Sequence, residues 1–163
     1  MVETSVENTD LIHKIRDRIF RAFPKSKCKK YEPHLTVIPP FEASKDTIHN
    51  LDSYLYTNYS DFSTDITVRG VGVYPTIHNP RVILLDIEAT QYLENCRTDL
   101  YEWLQSQDCS FQYKPTPFHI TLFKFETGHK MSKDHKSVIQ QVIKNNRSTW
   151  KTTVREIEIQ NLK

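Results

Sequence analysis

The chain has 163 residues, of which 37% are apolar and 26% charged, and its 22 basic and 20 acidic residues give a net charge of +2. A balance this close to neutral excludes a histone-like polycation and a strong non-specific grip on duplex DNA. The length fits one domain with a sizeable core. The three glycines, Gly70, Gly72 and Gly128, form neither a Rossmann fingerprint nor a P-loop.

The spacing of apolar residues predicts helices that alternate with strands. In chain order these elements are a helix from Thr9 to Pro24, a strand at 35–38, a helix after a Ser44 cap, a strand from Ile66, a strand at 82–87, a helix at 93–104, a strand at 118–125, a helix after a Ser132 cap, and a strand at 157–159. The apolar phase changes at Gly70, which predicts a β-bulge. Because no low-complexity linker divides the chain, we expect one domain over residues 1–163.

The cysteines and the N-terminus give no sign of an oxidising compartment or a targeting segment. Cys28, Cys96 and Cys109 are odd in number and contain no C-x-x-C pair, which excludes a disulfide scaffold and the usual zinc spacings. The N-terminus is acidic, and the longest aliphatic run, 82–85, is far too short for a membrane span. We therefore expect a soluble cytoplasmic protein with no membrane partner, no metal site and no cofactor.

An internal repeat is the most informative feature of the sequence. The block Pro33-His34-Leu35-Thr36-Val37 resembles Phe118-His119-Ile120-Thr121-Leu122 at an offset of 85 residues, and the flanking segments match in the same order. These matches are Tyr31-x-Pro33 with Tyr113-x-Pro115, Phe41-Glu42 with Phe125-Glu126, and Ser44-Lys45-Asp46 with Ser132-Lys133-Asp134. The pattern predicts two similar halves, 1–77 and 78–163, that face each other as two lobes.

Each repeat carries a His-x-Thr pair on a predicted strand. Residues i and i+2 of a strand point to the same face, so His34 lies beside Thr36, and His119 beside Thr121. The intervening apolar residues face a core, which leaves the histidines and threonines facing a cleft or solvent. A solvated face more often carries Lys, Glu or Gln, so we interpret the two pairs as one shared site.

Two imidazoles across a cleft provide a base and an acid at neutral pH, because one is neutral while the other is protonated. Two threonine hydroxyls donate hydrogen bonds to the oxygens that gain charge in the transition state. This set suits in-line displacement at phosphorus without a metal. The candidate catalytic residues are therefore His34, Thr36, His119 and Thr121.

The two motifs make the chain resemble the 2H phosphoesterase superfamily, which contains the 2′-5′ RNA ligase-like proteins and the RNA 2′,3′-cyclic phosphodiesterases. The resemblance covers nearly the whole chain: the blocks at 33–36 and 119–122, and the Gly-Val-Gly-Val-Tyr run at 70–74 that leads to residues 80–82. It implies an α+β fold of two lobes, each a mainly antiparallel sheet with outer helices, around a central cleft. It also implies activity on 2′,3′-cyclic phosphates or 2′-linked phosphodiesters without a cofactor.

Two features depart from that pattern. Such proteins begin with a strand, whereas the predicted first helix leaves only residues 1–8 before it, so the first lobe either lacks that strand or has a short one. Relatives also carry a basic residue five places after the second histidine, which is Lys124 here. Simple alternation places Lys124 on the apolar face, so its part in substrate binding requires a bulge.

Further candidates for substrate binding surround the motifs. The resemblance places Tyr74 and Arg81 beside the substrate, where Tyr74 stacks on a base and Arg81 contacts phosphate or sugar, or else both are ordinary surface residues. Alternation gives Phe123 the face of His119 and Thr121, where it lines the pocket or packs beneath it. Four lysines at 25, 27, 29 and 30 precede His34 and are either an anion-attracting patch or a solvated loop.

The leading hypothesis is a monomeric, metal-independent phosphodiesterase. Its substrate is an RNA 2′,3′-cyclic end, a short 2′,5′-linked oligonucleotide or a cyclic nucleotide signal, and no obligate protein partner is implied. The alternative is a non-catalytic RNA-binding or nucleotide-sensing module on the same scaffold. In a third hypothesis the chain is an interaction protein whose repeat is purely architectural, and it predicts that His34 and His119 lie far apart.

Overall fold

A computed structural model describes residues 1–24, 32–126 and 128–160. Helices and mainly antiparallel strands make it an α+β fold, which confirms the predicted class. The elements in chain order are β1 (Val2–Val6), α1 (Asp10–Ala22), β2 (His34–Ile38), β3 (Phe41–Glu42), α2 (Lys45–Tyr59), β4 (Ser63–Pro75), β5 (Pro80–Glu88), α3 (Gln91–Ser106), β6 (Ser110–Phe111), β7 (His119–Lys124), α4 (Lys133–Asn145) and β8 (Trp150–Ile159).

Side-chain caps fix where the helices begin. Ser44 Oγ accepts a hydrogen bond from the Thr47 amide at 3.0 Å, and Ser132 Oγ accepts one from the His135 amide at 3.1 Å. Both bonds satisfy an amide that has no partner inside the helix. The two caps predicted from the sequence are confirmed.

The chain does begin with a strand, and it is short. β1 has five residues and pairs antiparallel with both β2 and β8. Of the two possibilities that the sequence left open, the structure therefore shows the short strand. The predicted bulge in β4 is also confirmed: Val68 pairs with Ile87 and Gly70 with Asp86, so Arg69 is the extra residue.

The six longer strands form a closed antiparallel ring in the order β1-β2-β7-β5-β4-β8, and β3 pairs with β6 in a separate two-stranded sheet. Equivalent elements of the repeat take equivalent neighbours. α1 packs on β7 and α3 on β2, while α2 packs on β8 and α4 on β4. The two strands that carry the His-x-Thr motifs are therefore adjacent in the ring, and each is covered by a helix.

The helices bury one face of each strand. Leu35 and Val37 of β2 and Ile120 and Leu122 of β7 are at most 3% exposed and belong to the core. The residues between them point the other way, to the face that the helices leave uncovered. None of the helices in the described ranges is long and apolar enough to span a bilayer.

Candidate functional site

The four His-x-Thr side chains lie together on neighbouring strands. Leu35 of β2 pairs directly with Ile120 of β7, and both are fully buried. Extending this antiparallel register by one residue in each direction places His34 opposite Thr121 and Thr36 opposite His119. Directly opposite residues have Cβ atoms about 4.5–5.5 Å apart, and diagonal neighbours such as the two histidines are roughly 7–8 Å apart. The third hypothesis, which requires distant histidines, is contradicted.

The same registers extend these pairs into two rows across the sheet. One row runs over β1, β2, β7, β5 and β4 through Glu3, Thr36, His119, Asp86 and Gly70. The parallel row runs through Ser5, His34, Thr121, Leu84 and Gly72. Each histidine therefore has a threonine on the next strand, and the second histidine lies one row away.

Both histidines are oriented by the same backbone contact. Nδ1 of His34 lies 3.1 Å from the carbonyl oxygen of Glu32, and Nδ1 of His119 lies 2.9 Å from that of Pro117. A carbonyl oxygen only accepts hydrogen bonds, so each Nδ1 carries the hydrogen. The proton that each ring gains or loses is therefore on Nε2. An Nε2 without a proton can accept one, and a protonated Nε2 can donate one.

A bulge in β7 exchanges the faces of Phe123 and Lys124. Thr121 pairs with Leu84, but Phe123 pairs with Ile83, so Leu122 is an extra residue. Lys124 then pairs with Val82, which has the same phase as Leu84, and it lies exposed on the histidine face. The bulge that Lys124 requires is present.

Phe123 moves to the core for the same reason. It is 2% exposed, and its ring centroid lies 5.1 Å from that of Phe20 and 4.9 Å from that of Phe125. The expectation that Phe123 shares the face of His119 and Thr121 is wrong, because alternation across 121–123 is interrupted by the bulge. Phe123 packs beneath the site.

Tyr74 and Arg81, the two further candidates for substrate binding, lie in different surroundings in the structure. Tyr74 is 63% exposed and lines a groove of about 350 Å³ along β4 and β5, together with Leu84 and Asp86. Arg81 is exposed at the start of β5, one residue out of phase with Val82 and Leu84, and it does not line that groove. The lysines at 25, 27, 29 and 30 lie outside the described residues.

The sequence profile of the 2′-5′ RNA ligase superfamily matches residues 2–162. The chain belongs to this superfamily. The resemblance to the 2H phosphoesterases is thereby confirmed over almost the whole length, His-x-Thr blocks included. No curated protein sequence matches the chain.

The site of this superfamily member is asymmetric in the carboxylates around its histidines, because Glu3 lies within ion-pair distance of His34 whereas Asp86 is the strand neighbour of His119. Glu3 Oε2 lies 3.6 Å from His34 Nε2, and the Glu3 side chain is 11% exposed. Burial raises the pKa of Glu3, and the positive charge of His34 opposes that rise. At the equivalent position opposite Thr121 stands Leu84. Sequence reasoning missed Glu3 because it left open whether the first strand exists.

Sequence reasoning also missed Arg97, which supports His119 from α3. Its Nη1 donates to the carbonyl oxygen of Thr116 at 2.9 Å, and its guanidinium carbon lies 3.2 Å from the centroid of the Phe118 ring. Burial lowers the pKa of this guanidinium. Arg97 thus fixes both sides of Pro117, whose carbonyl orients His119. Its repeat equivalent is Arg16, which is also the seventh residue of its helix; Arg16 is buried and Arg97 is half-buried.

Over the described ranges, no three side chains of His, Cys, Asp or Glu come together as a metal site.

Proposed function

We propose that the protein is a metal-independent phosphodiesterase that acts on ribose 2′-phosphodiesters: RNA 2′,3′-cyclic phosphate ends, 2′,5′-linked oligonucleotides or cyclic nucleotide signals. The observation that carries the proposal is the pair of histidines on adjacent strands, each held through Nδ1 and each beside a threonine. Membership in the superfamily supports an enzyme of the phosphoesterase or ligase type.

In the proposed reaction, one Nε2 removes a proton from the attacking water or hydroxyl as its oxygen bonds to phosphorus. The other Nε2 gives its proton to the ribose oxygen as the bond between that oxygen and phosphorus breaks. Thr36 and Thr121 donate hydrogen bonds to the non-bridging oxygens, where negative charge increases. Each turnover leaves the two imidazoles with exchanged protonation, which solvent restores.

We further propose that the chain forms two lobes, and that the face carrying the His-x-Thr side chains lies in a cleft between them. The sheet β8-β1-β2 with α2 and α3 is one lobe, and the sheet β4-β5-β7 with α1 and α4 is the other. The equivalent packing of these helices supports the arrangement. In it, Lys124 and Tyr74 are substrate-binding residues beside the phosphate and the nucleoside.

The proposal is tested by incubating the protein in EDTA with 2′,3′-cyclic nucleotides, 2′,5′-linked oligonucleotides and cyclic dinucleotides, with chromatographic separation of the products. Turnover of any of the three classes that is lost in His34→Ala supports the proposal and identifies the substrate class. Binding without turnover across the panel favours the non-catalytic nucleotide-binding module instead. If the protein neither binds nor turns over any compound of the panel, both the phosphodiesterase and the nucleotide-binding module are contradicted.

The pH dependence of kcat/KM should be bell-shaped, because the proposed reaction needs one imidazole without a proton on Nε2 and the other with one. The rate falls on the acid side as the base becomes protonated, and on the alkaline side as the acid loses its proton. Activity should persist in EDTA, since the transferred protons are held on imidazoles. A preparation that is inactive until Mg²⁺, Mn²⁺ or Zn²⁺ is added would contradict the mechanism.

Replacing Arg97 by alanine should lower kcat by up to about 10²-fold, because a misplacement of about 1 Å in a catalytic group has an effect of that size. The variant frees the Thr116 carbonyl and lets the loop that orients His119 shift. We expect the limb of the pH profile that reports His119 to move, which a loss of stability alone would not cause. Arg18→Ala, an exposed arginine on α1, is the matched control. An unchanged profile in Arg97→Ala would refute the positioning role.

A further inference from the structure

A groove beside the candidate site has the features of a nucleoside subsite. It measures about 350 Å³, within the range of about 300–1,000 Å³ that is usual for ligand sites. Its lining includes Arg69, Gly70, Gly72, Tyr74, Leu84 and Asp86. Four of these residues belong to the rows that contain the histidines, and the nearest two are Asp86, directly opposite His119, and Leu84, directly opposite Thr121. The groove therefore begins one strand, or about 4.8 Å, from the residues that would hold the phosphate.

The absence of a side chain at Gly72 keeps this groove open. Gly72 pairs with Leu84, and a Cβ at this position would lie 3.3 Å from Leu84 Cδ1, so a larger side chain would have to displace Leu84 or enter the groove that both residues line. Two residues along β4, the exposed Tyr74 ring provides a flat surface at the end of the groove. An aromatic ring next to an open strand surface is suited to stacking with a nucleobase.

Charge determines which part of a nucleotide enters the groove. Asp86 is exposed, and in the described part of the chain its carboxylate makes no hydrogen bond or salt bridge. Arg69 is the neighbouring cation, and its guanidinium is bound to Glu88 by contacts of 2.8 and 3.0 Å. Inside the groove the Asp86 carboxylate disfavours a phosphate, whereas the histidines and threonines beside it can hold one by hydrogen bonds, so the uncharged base is the part of the nucleotide that enters the groove.

A carboxylate also selects among bases, because it only accepts hydrogen bonds. Guanine presents two adjacent donors, N1–H and the N2 amino group, which match the two oxygens of a carboxylate. Adenine and cytosine each present one amino group. Uracil presents a single N–H between two carbonyl oxygens, and those oxygens face the carboxylate unfavourably.

We infer that this groove binds the base of the nucleotide and that Asp86 makes the protein prefer bases with an exocyclic amino group, guanine most and uracil least. The inference rests on the proposed function for the identity of the ligand as a ribonucleotide. Gly72 provides the space, Tyr74 the stacking surface and Asp86 the selectivity.

The test is equilibrium binding of the four nucleoside 2′-monophosphates by titration calorimetry, which needs no turnover. Guanosine 2′-monophosphate should bind at least about tenfold more tightly than the uridine compound, because a site built for hydrogen bonds rejects a ligand that cannot make them. Asp86→Asn should shrink or reverse this ratio, since an asparagine also donates. Gly72→Leu should weaken binding of all four, and Glu102→Gln, an exposed carboxylate on α3, should leave the order unchanged.

Equal affinity for all four compounds, a guanine preference that survives in Asp86→Asn, or no binding at all would each overturn the inference. Failure of the proposed function is distinguished by a separate result. Selective binding that depends on Asp86, without turnover of any substrate class, would retain this subsite and refute the phosphodiesterase.

Discussion

Alanine at either His34 or His119 is expected to lower kcat/KM by about 10²–10⁴-fold, the usual contribution of one general acid or base. Alanine at Thr36 or Thr121 removes one hydrogen-bond donor to the phosphate, with an expected loss of roughly 10²–10³-fold. The histidine variants should show the larger loss. A bound water molecule can replace the hydrogen bond of a threonine hydroxyl more readily than it can replace a positioned proton donor or acceptor. Steady-state kinetics on the substrate class found in the panel measures both effects.

The histidine experiment has a matched control in His49, an exposed histidine on α2. His49→Ala should retain the wild-type rate, which shows that losing a histidine is harmless away from the site. In His34→Gln and His119→Gln, each with its remaining imidazole, one limb of the pH profile should disappear. Wild-type rates in both alanine variants would show that the active site lies elsewhere in the molecule.

Phe123→Ala is expected to lower the free energy of unfolding by about 3–5 kcal/mol, the usual cost of truncating a buried phenylalanine. The ring is 2% exposed and contacts Phe20, Phe23 and Phe125, with centroids 4.9–5.4 Å away. Its loss would leave a cavity between β7 and α1. Chemical denaturation measures the change, and KM should be unaffected in whatever fraction remains folded.

Tyr74→Ala should give the opposite result, because Tyr74 is 63% exposed and lines the groove. We expect an increase in KM and little change in stability. The pair of variants separates a residue that packs beneath the site from one that contacts substrate. An increase in KM for the milder Phe123→Leu, at unchanged stability, would show that Phe123 contacts the substrate.

Residue patterns were sufficient to predict buried strand faces and helix starts where the spacing of apolar residues along the chain is regular. The phase of Leu35 and Ile120 identified the buried faces of β2 and β7, and the caps at Ser44 and Ser132 marked two helix starts. The phase change at Gly70 revealed a bulge because apolar residues stand on both sides of it. The bulge in β7 has no such sign, since Leu122 and Phe123 are both apolar and both buried. Alternation therefore misplaced Phe123.

The sequence by itself determined the class of fold, the repeat and the two His-x-Thr pairs, because these depend on residue types and short spacings along one chain. Only the tertiary structure decided which strands are neighbours. The pairing of β2 with β7 brings the histidines together, and the pairings of β1 and β5 add Glu3 and Asp86 to the row of His119. The loop before His119 is fixed by Arg97, an arginine 22 residues earlier in the chain. Such contacts join segments with no common local pattern, since the strand order and the register are set by burying the core of the whole chain.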